Sequence, residues 1–188
     1  MPTGKRQAHY EKKMAIIRKA RLRDVPALFR LIDFYAAQRL LLPRSLADLC
    51  ESVEDFFVGA ERGRVVACGA LKLYDHDVAE IRSLCVEPGL KKSGLGRALT
   101  GRLLSEAERR GLKTVFALTV APEFFFKCRF QEAPRENFPL KIWRDCLLCP
   151  KFSQCDEKTV AFDLTAERAS NSTLPAEAAA VPALSAFR

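Results

Sequence analysis

The chain lacks an apolar run long enough to cross a membrane, and no charged stretch followed by an apolar one opens it. It also shows no internal repeat. Its 188 residues are enough for one domain with a full hydrophobic core. With 48% hydrophobic and 29% charged residues, the balance is that of an ordinary globular protein. We therefore expect a soluble, cytoplasmic protein of one folded domain, with no membrane partner.

A regular disulfide framework is also lacking, because the seven cysteines are odd in number and scattered along the chain. Several lie in apolar, strand-like runs, which is typical of reduced intracellular thiols. Cys146, Cys149 and Cys155 are closer together, at a spacing that can ligate a metal. No fourth ligand is evident beside them. A metal site and a set of partly buried thiols both remain open, and we predict no metal.

The net charge of +8 is concentrated at the beginning of the chain. Residues 1–23 hold eight Lys and Arg residues against Glu11 alone, which gives +7 and leaves +1 for residues 24–188. A basic arm on a nearly neutral body is weak evidence for nucleic-acid binding. We expect a solvated or weakly tethering arm and no nucleic-acid partner.

Composition divides the chain into three parts. Residues 1–13 are polar and aperiodic and indicate a flexible basic arm. Residues 14–164 carry the periodic segments of a folded domain, with a cysteine-containing insertion at about 138–156. Residues 165–188 are rich in Ala, Ser and Pro without a large apolar stripe, which predicts a disordered tail.

Within the folded part, strands and helices interleave. The strands are predicted at 14–19, 57–60, 65–74, 78–87, 113–119, 130–133 and 157–164. The helices are predicted from Asp24 as cap, from Ser45 and Asp48 as a capping box continuing to Phe56, and over 94–110 and 122–128. This order indicates an α/β or α+β sandwich of helices on a mixed sheet.

The most informative segment runs from Val86 to Arg97 and joins a strand to a long helix. Pro88 stops the strand pairing, and a glycine-containing loop then turns backbone N–H groups toward one point. Those donors and the positive end of the helix dipole suit a pyrophosphate, although a structural turn is the alternative. The candidate anion-binding residues are Lys91, Lys92, Ser93, Gly94, Leu95, Gly96 and Arg97.

This segment resembles the acetyl-CoA motif of the GNAT superfamily of acetyltransferases. That motif reads Val-x-Pro, then Arg or Gln, two residues, and Gly-x-Gly or Gly-x-Ala; Lys91 stands at the Arg/Gln position here. The resemblance implies acetyl-CoA as co-substrate and a mixed, mostly antiparallel sheet flanked by helices. It also implies that the backbone around Leu84 and Val86 pairs with the pantetheine arm.

A narrower resemblance is to the short N-acetylglutamate synthases, which are amino-acid N-acetyltransferases. It is carried by segments spread over most of the domain: 17–20, 41–45, 68–71, 79–84 and 115–119. The family places a substrate carboxylate near the Leu-Leu-x-Arg-Ser segment. The resemblance therefore implies Arg44 as a carboxylate anchor, with Leu42, Arg82 and Ser83 in the acceptor pocket; a surface Arg ahead of a helix cap is the alternative.

Acetyl transfer to an amine needs a group that accepts the ammonium proton, and Glu80 is the candidate. It lies inside an apolar strand, where a carboxylate is costly unless it is paired or functional. In strict alternation Glu80 and Arg82 share a face and could simply pair with each other. By resemblance, a bulge breaks this alternation, and the amides near Leu84 and Cys85 polarise the acetyl oxygen.

Two features bear on the leaving group and on the order of reaction. Phe125 stands where many GNAT proteins carry a Tyr, so the thiolate is expected to leave without a phenol acid. Cys85 has no neighbouring His in the sequence, which favours direct attack in a ternary complex over an acyl-enzyme.

These observations favour an enzyme that acetylates a small amino acid, with L-glutamate, and hence arginine biosynthesis, as the leading interpretation. A GNAT enzyme for another amine or for a protein N-terminus is the first alternative. A non-catalytic module that binds acyl-CoA or a metal is the second. A homodimer is possible in each case, and the sequence does not decide it.

Overall fold

A computed structural model of the chain describes residues 15–149 and 151–166. The predicted basic arm and residues 167–188 of the predicted tail lie outside the described residues. The seven strands in the described part are β1 (Ile16–Lys19), β2 (Phe56–Glu61), β3 (Arg64–Leu73), β4 (Val78–Val86), β5 (Thr114–Thr119), β6 (Gln131–Glu132) and β7 (Lys158–Asp163). The α-helices are α1 (Val25–Ala36), α2 (Leu46–Glu51), α3 (Leu95–Arg109), α4 (Pro122–Phe126) and α5 (Pro139–Arg144).

The strands form one sheet in the order β1-β2-β3-β4-β5-β7-β6. Only β4 and β5 are parallel among these neighbours; the other pairs are antiparallel. A helix between β4 and β5 explains the exception, because a parallel connection needs a crossover and α3 supplies it. The predicted fold class, a mixed and mostly antiparallel sheet flanked by helices, is confirmed.

Helices cover both faces of the sheet and divide the core in two. On one face α3 packs through Leu95, Leu99, Leu103 and Ala107, which are at most 7% exposed. These positions recur at helical spacing, so the sequence pattern alone places this stripe inward. On the other face α1 and α2 cover β2, β3 and β4. The middle of β4 thus lies between two packed layers.

The N-terminus of α2 is the predicted capping box. The Asp48 amide donates to Ser45 Oγ at 3.0 Å, and the Asp48 carboxylate accepts from the Ser45 amide at 3.2 Å. The helix ends at Glu51, however, whereas the sequence pattern continued it to Phe56. Phe56 instead begins β2 and is fully buried, because an apolar residue at a helical interval can equally open a buried strand.

Asp24 stands at the N-cap position of α1, as predicted, but it does not cap the helix with its side chain. Its side chain makes no capping hydrogen bond to the first turn of α1. The carboxylate accepts instead from the Arg21 amide at 2.8 Å and from both terminal nitrogens of Arg18. Arg18 on β1 competes more strongly than a helix amide, since a guanidinium binds a carboxylate with two charge-assisted bonds.

No helix within residues 15–149 and 151–166 is both long and apolar enough to cross a membrane.

Candidate active site

The loop between β4 and α3 has the geometry that its sequence predicted. Gly94 caps α3 with φ +88°, in the left-handed region, and a Cβ added there would meet no atom within 4 Å. Lys92 also has a positive φ of 67°. The backbone therefore turns sharply and leaves open space beside the first turn of α3, where helix amides have no intrahelical acceptors. This arrangement fits an anionic group.

The side chains of this loop make contacts within the protein. The Lys91 ammonium lies over the Tyr35 ring, 4.9 Å from its centroid, while Ser93 Oγ accepts from the Leu95 amide at 3.3 Å. The Leu95 side chain itself is buried in the core. Gly96 has a packing role, because a Cβ there would approach Phe124 of α4 to 3.2 Å. The position at which the backbone can approach a ligand closely is therefore Gly94 rather than Gly96.

The centre of β4 carries a β-bulge. Against β3, Cys68 pairs with Cys85 and Ala70 with Arg82, so β4 has one residue more than its partner between the two pairs. Ser83 takes up the extra length with φ +51°. Leu84 then lies over Gly69, where a Cβ would come within 2.9 Å of it. The bulge expected from the family resemblance is present.

The bulge redistributes the side chains of β4 between the two faces. Ala79 and Ile81 belong to the core on the α3 face, and beyond the bulge Leu84 and Val86 pack against the same core. Cys85 lies in the core of the α1 face. Strict alternation would have put Leu84 and Val86 on the face of Glu80 and Arg82, and the bulge breaks that alternation, as the family resemblance implied.

Beside the bulge, β4 and β5 diverge. Their parallel pairs run from Val78 opposite Thr114 to Glu80 opposite Phe116. Beyond Glu80 the pairing of β4 with β5 ends, although β4 continues to Val86. On its other side, β5 pairs with β7 along its whole length. A wedge opens between the two strands on the side of the β4–α3 loop. The backbone of β4 from the bulge onward borders this wedge.

On the α1 face, three cations lie close together around β4. Lys72 of β3 is the register partner of Glu80, and Arg82 lies two residues along β4. Arg44 lies just before α2. Burial lowers the pKa of its guanidinium, and the like charge of nearby Arg82 lowers it further. In the part of the chain that the structure describes, the Nε atoms of Arg44 and Arg82 are buried without a hydrogen-bond partner. Unsatisfied buried donors of this kind suit an anionic ligand.

Glu80 is 3% exposed, and among the described residues its ion-pair partner is Lys141, so the alternative that it pairs with Arg82 is wrong. Its carboxylate accepts from Lys141 of α5, with Nζ 3.0 Å from Oε1 and 3.1 Å from Oε2. The Tyr74 hydroxyl donates to Oε2 at 2.9 Å. Burial and then the charge of Glu80 raise the pKa of Tyr74 well above its ordinary value.

Asp145 links this network to the cations. It accepts from Tyr74 at 2.5 Å, from Lys141 at 3.1 Å and from Lys72 at 3.2 Å, and it lies 3.8 Å from Arg82. Burial would raise the pKa of this carboxyl, but Tyr74 and Lys141 outweigh burial and hold it below its usual range. Leu42, Lys141 and Asp145 line one small cavity of about 30 Å³, so the inserted segment meets the segment that carries Leu42.

Sequence reasoning missed Lys72, Tyr74, Lys141 and Asp145. Lys72 was detectable by the argument used for Glu80, since it also interrupts an apolar strand. Lys141 and Asp145 have i, i+4 spacing, but the helix that orients them was not predicted because the insertion has no long apolar period.

The cysteines of the insertion lie beside the same cavity. Cys146, Cys149 and Cys155 line it together with Arg135, whose guanidinium is 3.3 Å from the Cys155 Sγ. No group of three His, Cys, Asp or Glu residues within 15–149 and 151–166 is arranged to hold a metal ion. All seven cysteines are free thiols.

Proteins of known sequence resemble this chain over most of its described part. It is 40% identical over 141 residues to an uncharacterized N-acetyltransferase from Chlorobaculum tepidum, covering 75% of this chain and 91% of that one. It is 41% identical over 120 residues to an amino-acid acetyltransferase from Mycobacterium tuberculosis, covering 62% and 68% of the two chains.

Solved structures agree with these relatives. Rv2747 from Mycobacterium tuberculosis, in complex with CoA and NLQ, is 32% identical with a TM-score of 0.69, covering 79% of this chain and 99% of that one. N-acetylglutamate synthase from Neisseria gonorrhoeae, complexed with coenzyme A and N-acetyl-glutamate, is 26% identical with a TM-score of 0.72. That match covers 82% of this chain but only 36% of the longer protein.

The family model of the acetyltransferase (GNAT) family matches residues 22–131, which is more than half of the 188 residues. This span contains the capped helix α2, the bulged strand β4 and the β4–α3 loop. The match and the observed sheet topology agree with the resemblance found in the sequence. The chain therefore belongs to the acetyltransferase (GNAT) family of acyltransferases.

Proposed function

We propose that this protein transfers the acetyl group of acetyl-CoA to the amino group of an acidic amino acid, with L-glutamate as the acceptor. The product would be N-acetylglutamate, as in the first step of arginine biosynthesis. The observation that carries the proposal is the group of three cations, Arg44, Lys72 and Arg82, beside the bulge of β4. An amino-acid acetyltransferase and an N-acetylglutamate synthase among the similar proteins support it.

The β4–α3 loop would hold the cofactor. Open space at Gly94, the amides of the first turn of α3 and the cations Lys91, Lys92 and Arg97 fit the diphosphate of CoA. The edge of β4 that borders the wedge would pair with the pantetheine arm, as predicted for Leu84 and Val86. The amides after Ser83, at Leu84 and Cys85, would then donate to the acetyl oxygen.

The acceptor would lie on the α1 face of β4, between Leu42 and the bulge. A dicarboxylate amino acid brings two negative charges, and the cations available exceed the anions Glu80 and Asp145 around them. Arg44 would bind one carboxylate and Arg82 the other, with Ser83 close to the reacting amine. A polyamine acceptor is disfavoured, because it would meet like charges.

In the reaction, the neutral amine attacks the thioester carbon. A C–N bond forms, the C–S bond breaks, and CoA leaves as the thiolate. Glu80 would take the ammonium proton through a water, since its own oxygens already accept from Lys141 and Tyr74. Phe125 lies in the core, packed against Phe124 and Phe130, so the position of the usual family Tyr offers no acid to the thiolate.

An amino-acid panel tests the proposal directly. Purified protein is mixed with acetyl-CoA and each amino acid, and free CoA is measured. We expect glutamate to be the preferred acceptor. Arg44→Ala should raise the KM for glutamate by about 10- to 100-fold, the range for losing a charge-assisted bond, and leave the KM for acetyl-CoA unchanged.

Arg23→Ala is the matched control, because Arg23 is an exposed arginine two residues before Val25 of α1, and it should leave both KM values unchanged. Transfer to no amino acid in the panel would refute the proposal. Transfer to neutral amino acids with equal efficiency would contradict an acidic acceptor, but it would still support an acetyltransferase.

A further inference from the structure

A buried ion pair joins the central strand of the sheet to the segment inserted before β7. Glu80 is 3% exposed and Lys141 is 8% exposed. Removing both charges from water is expensive, and a well-packed apolar pair of similar volume would often be as stable. Fold stability alone is therefore a weak reason for this pair, and its position beside the bulge of β4 suggests a role in the chemistry.

We propose that Lys141 is a positioning residue for acetyl transfer, which keeps Glu80 ionised and holds its carboxylate toward the acceptor side of β4. This inference rests on the proposed function, since it assigns Lys141 a task in that reaction. Lys141 itself would touch neither acetyl-CoA nor the acceptor. It would act through Glu80.

The contacts of Glu80 support the role of Lys141 over that of Tyr74. The Tyr74 hydroxyl has one proton, yet it faces both Glu80 Oε2 at 2.9 Å and Asp145 Oδ2 at 2.5 Å. It can donate fully to only one of them at a time. The Lys141 ammonium has three protons, and it reaches both oxygens of Glu80 and one of Asp145 at 3.0 to 3.1 Å. Lys141 can thus serve both carboxylates at once.

Other charged groups surround Glu80 at longer range. They lie on β3, on β4, before α2 and in the inserted segment, and they are Lys72, Arg82, Arg44, Asp145 and Glu157. Asp145 engages Lys72 directly and lies near Arg82, which reduces what these cations offer to Glu80. Among the described residues, Lys141 is the cation that lies within 4 Å of the Glu80 carboxylate.

The structure also shows what holds Lys141 in place. Burial lowers the pKa of its ammonium, but the charges of Glu80 and Asp145 outweigh burial and leave the pKa above its ordinary value. Lys141 is therefore charged throughout the range in which an amine is acetylated. It lies in α5, one turn before Asp145, so the short helix fixes the two partners in register.

The pH dependence of glutamate acetylation tests the inference. An ionised Glu80 is the active form, so kcat/KM falls at the acidic end of the profile, where this carboxylate becomes protonated. Lys141→Met keeps the length of the side chain and removes its charge, which leaves the buried Glu80 carboxylate without the cation 3.0 Å from it. The acidic limb of kcat/KM should move upward by about 1 to 3 pH units, and Lys141→Arg should return most of that shift.

Lys113→Met is the matched control, since Lys113 pairs with Asp77 at 2.8 Å on the surface and should leave the profile unchanged. Acetyl-CoA binding by calorimetry checks that each variant is folded; if Lys141→Met does not fold, Lys141→Gln, which retains donors without charge, carries the same test. An unchanged acidic limb with a uniform loss of kcat would overturn the inference and leave the proposed function standing. A wild-type protein that acetylates no amino acid would instead refute the proposed function.

Discussion

The regions proposed to bind the cofactor and the acceptor are built in opposite ways. The cofactor region is one continuous segment, from the end of β4 through the loop to the first turn of α3. The acceptor region draws Arg44, Lys72, Glu80, Lys141 and Asp145 from four separate parts of the chain. Backbone amides would serve the first region, whereas charged side chains would serve the second.

This difference separates two kinds of sequence tolerance. A backbone site depends on the φ and ψ angles of a few residues, so a change at the left-handed Gly94 matters more than a change of side chain nearby. A side-chain site depends on every element that carries a member, including the short helix α5. We therefore expect variants to divide into those that affect acetyl-CoA, those that affect the acceptor, and those that affect stability alone.

The largest expected effect on stability comes from Glu106, which anchors the far end of the helix that carries the cofactor region. Arg109 is the main cause of its low pKa of about 2, and Arg110 also contributes. Since the folded pKa is below the ordinary value of 4.5, this stabilisation is complete above about pH 4.5 and is lost as the pH falls toward 2. Glu106→Gln should cost about 1 to 3 kcal/mol at pH 7, and less at pH 3, in urea unfolding.

Glu132→Gln is the control for this variant, since Glu132 is 61% exposed and 3.5 Å from Lys158; it should change stability by less than about 0.5 kcal/mol. Acetyl-CoA affinity should survive Glu106→Gln at temperatures where the protein is folded. A selective loss of that affinity would contradict a locally built cofactor region.

The next effect concerns the cofactor alone. Gly94→Ala places a Cβ in the left-handed region at a cost of about 1 to 2 kcal/mol, and a loop that relaxes to avoid this cost loses the arrangement of its amides. The Kd for acetyl-CoA should rise by about 5- to 30-fold in calorimetry. Gly63→Ala is matched to it, with φ +80° and no neighbour within 4 Å, but lies in the β2–β3 turn.

Gly63→Ala should lower stability by a similar amount and leave the Kd unchanged. Equal losses of affinity in the two variants would mean that the β4–α3 loop has no special part in binding acetyl-CoA.

The smallest effect concerns the acceptor. Ser45→Ala removes the capping box of α2 next to Arg44 and should cost about 1 kcal/mol of stability. Arg44 would be held less firmly, so the KM for glutamate should rise about two- to fivefold, while the KM for acetyl-CoA stays constant. Ser105→Ala, on the exposed face of α3, is the control and should alter neither constant. A change in the acetyl-CoA constant would show that the two regions are not separable.

Individual elements show which features of the structure could be predicted from the sequence. The helix α3 and the capping box of α2 were predictable, because periodicity and capping are local. The bulge at Ser83 came only through the family resemblance, and alternation alone placed Leu84 and Val86 on the wrong face. The alternative that Glu80 pairs with Arg82 was wrong for a different reason. Arg82 is near in sequence, but Lys141 is 61 residues away and nearer in space.

Local patterns in the sequence were enough to predict the order of the seven strands, the stripe by which α3 enters the core and the glycine turn that opens α3. Each of these depends on interactions between residues that are close in sequence, so they form largely independently of the rest of the fold. The tertiary structure alone decided which charges meet, because the energy of a buried ion pair depends on distance and solvent exclusion. Both are set only when β3, β4 and the inserted helix α5 pack together.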